Sequence, residues 1–166
     1  MSSFFDTYNP SILAIPAVHI LSILPHSYAL SVATNGRLSE WDNRNPRSSD
    51  LKSQIKSRLS PERYAFWERL EACHANGMEN LPVFAAAVIL GNMAGLKKDG
   101  WGGMTGFAGM FLAIRAAYTA VYLNHTTQGP TWIRSGLWAA GVGLCVRIFV
   151  KSAKALGGTR VGLSAY

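Results

Sequence analysis

From Ser11 to Thr34 the chain carries no lysine, arginine, aspartate or glutamate, and two later stretches, Trp101–Leu123 and Thr131–Val150, are nearly as apolar. About 20 predominantly apolar residues is the length a helix needs to cross a bilayer. In lipid, an isolated segment can satisfy its own backbone N–H and C=O groups only as a helix. These three blocks therefore commit the chain to membrane helices. Charged residues make up 15% of the 166, against about 25% in an ordinary soluble domain.

A fourth apolar stretch, Leu81–Leu96, grows out of a polar one. The run Arg69-Leu-Glu-Ala-Cys-His-Ala-Asn76-Gly-Met-Glu79-Asn-Leu-Pro82-Val-Phe84 mixes charges and amides with apolar residues. Ser60-Pro61-Glu62 ahead of it places a capping residue, a first-turn proline and an acid in order, so one long helix is expected to start there. The expected helices are 11–34, 61–96, 101–123 and 131–156, joined by a long loop, 35–60, and two short connections, Lys97–Gly100 and Asn124–Pro130. Short connections make neighbours antiparallel. The fold expected is an all-α, integral membrane four-helix up-down bundle, one domain over residues 1–166. Pro16 and Pro25 should kink the first helix or end it early.

The formal charge is +7, but its placement argues against nucleic acid. Seven of the sixteen lysines and arginines fall between Arg37 and Arg63, interleaved with Glu40, Asp42, Asp50 and Glu62. A basic loop between apolar segments is a topology signal. It puts loop 35–60 on the cytoplasmic side and both termini on the lumenal or outer side; Lys151, Lys154 and Arg160 in the tail pull the other way. Met1–Pro10 carries Asp6 and no basic residue, so no cleavable leader is expected. Gly102 and Gly106 form a GxxxG pattern, and Gly136 and Gly143 sit seven apart; both suit close helix packing. Cys73 and Cys145 are expected as free, packed thiols. His19, His26, His74 and His125 lack ligand spacing, so no metal is expected. His19 and His26 are expected to satisfy interhelical hydrogen bonds.

Ionisable groups on membrane helices are expensive and mark sites by default. Arg69 and Asn76 lie seven apart on one side of the second helix, with Glu79 on an adjoining face and His74 turned elsewhere. Arg115, Tyr118 and Tyr122 form one stripe on the third. Arg134, Ser135 and Trp138 cluster at the start of the fourth, and Arg37 begins the long loop. One pocket near the cytoplasmic face can collect Arg37, Asn76, Glu79, Tyr118, Tyr122, Arg134 and Ser135. Its arginines suit carboxylates and its acid an ammonium, which fits glutathione and also a lipid head group. Singly these residues have plainer readings: Arg37 and Arg134 as interfacial anchors, the tyrosines as an aromatic belt, Glu79 as a partner for Arg115. Together, on three helices and one face, they point to a site. Arg69 is expected to be a structural ion-pair partner.

These motifs resemble the MAPEG family, the membrane-associated proteins of eicosanoid and glutathione metabolism. The resemblance rests on Glu68-Arg69, His74 to Glu79 and Pro82-Val83-Phe84, with Arg-x6-Asn-x2-Glu followed by a proline as the specific part. Arg115-x2-Tyr118-x3-Tyr122, Ile133-Arg134-Ser135-x2-Trp138, and Asn35-Gly36-Arg37 with Asn45-Pro46 add to it. It covers roughly Leu13 to Leu156, and the second-helix run is most similar to fungal and bacterial members. The resemblance implies a homotrimer in an intracellular membrane, usually the endoplasmic reticulum, with glutathione bent between neighbouring subunits near the cytoplasmic side. It implies glutathione contacts from Arg37, Asn76, Glu79, Arg115, Tyr118, Tyr122, Arg134, Ser135 and Trp138. Glu79 would hold the amino group, and Arg134 or Ser135 would face the thiol.

The implied activity is a glutathione-dependent transferase, isomerase or peroxidase acting on a hydrophobic electrophile. A cation lowers a thiol's pKa, and a guanidinium stays charged, so Arg134 is the expected thiolate stabiliser, with Ser135 adding a hydrogen bond. Ala72 and Ala75 stand where some family enzymes carry arginines. That leaves two other readings: a non-catalytic lipid-binding scaffold of the same fold, and a glutathione-independent natural-product enzyme. Cys73 and His74 are adjacent on a helix and do not pair.

Overall fold

The computed structural model describes residues 7–46, 48–124 and 131–158. Asp6, His125, the connection 125–130 and Arg160 lie outside the described residues. The described residues hold five α-helices and no strand: α1 (Pro10–Ala33), α2 (Ser49–Arg58), α3 (Pro61–Met93), α4 (Met104–Asn124) and α5 (Thr131–Gly158), with a 3-10 turn at Leu38–Glu40. The helix α1, α4 and α5 are each long and apolar enough to cross a membrane. Glu62, Arg63, Glu68, Arg69 and Glu71 fill the first third of α3, which is why this helix reads as polar at one end and apolar at the other.

Capping follows the sequence. Asn9 accepts from the Ser11 amide at the start of α1, and Ser60 accepts from the Arg63 amide at the start of α3. In both, proline occupies the first turn, where its missing N–H costs nothing. At α3 the backbone and Ser60 hydrogen-bond the Glu62 carboxylate and hold its pKa below the usual range. Pro16 and Pro25 do not end α1, and Pro82 does not end α3; each helix is continuous through them.

The long loop is a correction. Ten of its residues form α2, capped by the Ser48 hydroxyl on the Leu51 amide, with Asp50 in the first turn and Lys56 and Arg58 in the last. Only Leu51 and Ile55 give it an apolar face, too little for a periodic signal. Ile55 and Leu59 are buried against Ala29, Val32, Trp67 and Leu70, so tertiary packing makes the helix. Upstream, Arg44 makes a two-pronged contact with Asp42 and draws the Asp42 pKa down to about 2.

Contacts order the long helices. Asn9 meets Asn92, Ser22 meets Gly77 and His26 meets Glu71, so α1 and α3 run antiparallel. Phe84 meets Phe111 and Asn76 meets Arg115, which sets α3 against α4 the same way. Phe111 approaches Gly141, and Tyr122 lies under Arg134, so α4 and α5 are antiparallel too. Two apolar clusters result. One holds Ala14, Val18, Phe84, Val88, Phe107, Phe111, Cys145 and Ile148. The other holds Ala29, Val32, Ile55, Trp67 and Leu70. Between the clusters, α1, α3 and α4 contribute polar side chains that bond one another or the backbone: Ser22 and His26, then Glu71, His74, Asn76 and Asn80, then Arg115. A polar layer thus divides the apolar interior.

The close-packing glycines are not those of the GxxxG pattern. Gly102, Gly136 and Gly143 face open space, and Gly106 lies against the backbone of Gly100 and Trp101. Gly77 and Gly91 make the tight interhelical contacts, with Ser22 and with Met104.

Candidate functional site

The polar layer has two sides. Toward α1, the His26 Nδ1–H donates to Glu71 at 2.9 Å, and the His74 Nδ1–H donates to the Ser22 carbonyl at 2.9 Å. The two rings sit 4.9 Å apart. His74 thus belongs to the α1–α3 seam, as the helical geometry predicts. His26 makes the interhelical bond expected of it.

Toward α4 and α5 lies an open cavity of about 480 Å³ lined by Asn76, Tyr118, Arg134, Ser135, Trp138 and Ala139. Three helices supply it. Asn76 comes from the middle of α3, Tyr118 from the last third of α4, and Arg134, Ser135 and Trp138 from the first two turns of α5. The guanidinium of Arg134 lies over the Tyr122 ring, 4.4 Å from its centroid, and Tyr122 packs against Tyr118 at 5.5 Å. Trp138 is 45% exposed and forms the outer edge.

Behind the wall, Arg115 is 5% exposed. Its Nη1 donates to Asn76 Oδ1 at 3.0 Å, and its guanidinium lies 4.4 Å from the Tyr118 ring centroid. No carboxylate pairs with Arg115 or Arg134 among the described residues. Burying a charge without a counter-charge is costly. Two uncompensated cations beside one cavity make it attractive to anions. Cys73, buried behind the same wall, gives its S–H to the Thr119 hydroxyl at 3.8 Å.

The model of the MAPEG family matches residues 12–154, nearly the whole chain. The chain belongs to the MAPEG family. No curated protein and no solved structure gives a significant match. Within this MAPEG chain, the sequence-predicted site residues divide. Asn76, Tyr118, Arg134, Ser135 and Trp138 line one cavity, with Tyr122 and Arg115 directly supporting it. Arg37 and Glu79 do not line it. Arg37 pairs with Glu40 at 3.0 Å at the 3-10 turn, and its side chain is exposed. Glu79 is exposed on α3.

Arg69 is a correction. It forms no ion pair among the described residues; its guanidinium lies 5.5 Å from the Phe66 ring centroid, and its Nε is buried without a partner. The acids close to it in sequence, Glu68 and Glu71, lie on other faces of α3, and Glu71 is engaged with His26. The sequence reading also passed over Asn80, whose side-chain amide bonds Asn76. The i, i+4 spacing of two asparagines was the available signal.

Proposed function

We propose that this MAPEG chain is a glutathione-dependent membrane enzyme that adds the glutathione thiol to a hydrophobic electrophile. The carrying observation is the pair Arg115 and Arg134, both without a carboxylate partner among the described residues, at one cavity of ligand size. A ligand with carboxylates and an ionisable thiol supplies the missing negative charge.

Arg134 is the group that stabilises the thiolate. It is permanently charged, so it favours the anion without taking the proton, which leaves to water. The Ser135 hydroxyl next to it donates a hydrogen bond to the sulfur. The thiolate sulfur then bonds to the electrophilic carbon. In an epoxide the carbon–oxygen bond breaks, and the resulting alkoxide is protonated by water. Trp138 and the lipid-facing surface of α5 offer the apolar approach that such a substrate needs.

The subunit is read as a four-helix up-down bundle that assembles as a homotrimer in an intracellular membrane, the endoplasmic reticulum. The segment 35–60 faces the cytoplasm and both termini face the lumen. Glu79 and Arg37, which do not line the wall formed by one chain, then reach the ligand from a neighbouring subunit. Calorimetric titration of detergent-purified protein with glutathione, followed by conjugation to a generic electrophile, tests the reading. Saturable binding and turnover support it. No heat at millimolar glutathione overturns it in favour of a non-catalytic lipid-binding scaffold, the reading favoured by Ala72 and Ala75, which add no cation to the exposed side of α3.

A further inference from the structure

Asn80 lies one turn beyond Asn76 on α3 and is 8% exposed. Its Nδ2 donates to the Asn76 carbonyl at 2.8 Å and reaches Asn76 Oδ1 at 3.5 Å. Arg115 Nη1 donates to the same Oδ1 at 3.0 Å. A guanidinium can only donate and a carbonyl oxygen can only accept, so both amides have one permitted orientation. Asn76 Oδ1 is held by Arg115 from behind the wall, with Asn80 Nδ2 beside it at the long end of hydrogen-bond distance. Asn76 Nδ2, on a residue that lines the cavity, makes no hydrogen bond within the described residues.

We infer that Asn80 and Arg115 are positioning residues that lock the Asn76 amide with its N–H groups presented to the ligand. Neither touches the ligand itself. The wall built by one chain then contains Arg134 and Asn76 as donors, with the Tyr118 and Ser135 hydroxyls, and no obligate acceptor. It selects an acceptor group, a carboxylate or peptide carbonyl, beside the thiolate, and it rejects an ammonium. On the glutathione reading, on which this inference rests, the γ-glutamyl amino group is held away from this wall.

Asn76→Asp separates a ligand-donor role from a structural one. The substituted carboxylate still accepts from Arg115 and now neutralises it, so the protein should melt at a temperature equal to or above that of the wild type. The N–H donor is gone and a negative charge faces the ligand, so glutathione affinity should fall at least about tenfold. Asn80→Ala should raise the glutathione KM roughly three- to tenfold while kcat stays within about twofold, because only the donor's orientation is loosened. In free protein labelled with 15N-asparagine, Asn76 should give one sharp side-chain amide pair, broadened or doubled in N80A and R115M. Wild-type binding of glutathione retained in N76D overturns the donor role. Unchanged amide signals in both N80A and R115M overturn the positioning role, whether or not glutathione binds. Absence of glutathione binding by the wild type overturns the glutathione reading alone.

Discussion

Gly77 of α3 lies against Ser22 of α1 so closely that a β-carbon on Gly77 would stand 2.7 Å from both Ser22 Cβ and Oγ. Ser22 is itself committed, its hydroxyl donating to the Val18 carbonyl at 2.8 Å. Side chains at such a crossing cannot both exist without helix displacement. Gly77→Ala should therefore destabilise the protein by about 1–3 kcal/mol, the usual range for overpacking. The double variant Gly77→Ala with Ser22→Gly should regain most of it. Melting temperatures in one detergent check both; an unperturbed G77A protein would show that the crossing is loose.

Arg134 should govern the ionisation of bound glutathione. A hydrogen bond to a charged group contributes about 1.5–3 kcal/mol, so Arg134→Ala should lower kcat/KM for conjugation roughly 10- to 100-fold. The rising limb of the pH–rate profile should move up toward the free-thiol value of about 8.5. Arg134→Lys should recover part of the rate, since it restores charge but not the planar contact with Tyr122. Tyr122→Phe keeps the ring under Arg134 and should retain more activity than Tyr122→Leu, which removes it. A pH profile identical in wild type and R134A would remove Arg134 from the chemistry.

The apolar blocks were legible because a membrane helix needs length and apolarity, and both are written locally. The grouping of Asn76, Tyr118, Arg134 and Ser135 was legible because helical spacing and antiparallel order bring them to one level. Three things were not. The helix α2 depends on Ile55 and Leu59 meeting the buried end of α1, a tertiary fact without sequence period. The close-approach glycines, Gly77 and Gly91, are not the pair Gly102 and Gly106, because the residue opposite, Ser22 or Met104, decides where space is needed. The role of Arg69 turned on whether an acid shares its face, and Glu71 turned out to belong to His26.

The far end of α1 is held by polar contacts. Asn9 Nδ2 donates to Asn92 Oδ1 at 2.7 Å, Asn92 Nδ2 donates to the Ser11 hydroxyl at 3.0 Å, and Ser11 returns a hydrogen bond to Asn9 Oδ1 at 2.7 Å. Ser11 is wholly buried. Interhelical hydrogen bonds of this kind contribute about 0.6–2 kcal/mol in membranes, so Asn92→Ala should lower the melting temperature measurably. Because the three groups form a closed ring, Asn9→Ala and Asn92→Ala should be less than additive, and a double-mutant cycle measures the coupling. Full additivity would mean that the ring does not act as a unit.

Glu79 is exposed and does not line the cavity that Arg134 lines, which suits a ligand shared between chains. In a symmetric oligomer a site between subunits takes one residue from each neighbour. Glu79→Gln and Arg134→Ala should each lose at least about tenfold in turnover as pure assemblies. Co-expressed at equal levels with different affinity tags and purified through both, they should recover activity. In the proposed trimer every mixed assembly that passes both tags has one shared site in three that pairs an intact Glu79 with an intact Arg134, so roughly a third of wild-type turnover is expected. The control is Ser135→Ala with Arg134→Ala, two lesions on one side of the site, which should not complement. Recovery in the first mixture and not in the second places the ligand between subunits; no recovery in either means that Glu79 and Arg134 do not meet across a subunit boundary.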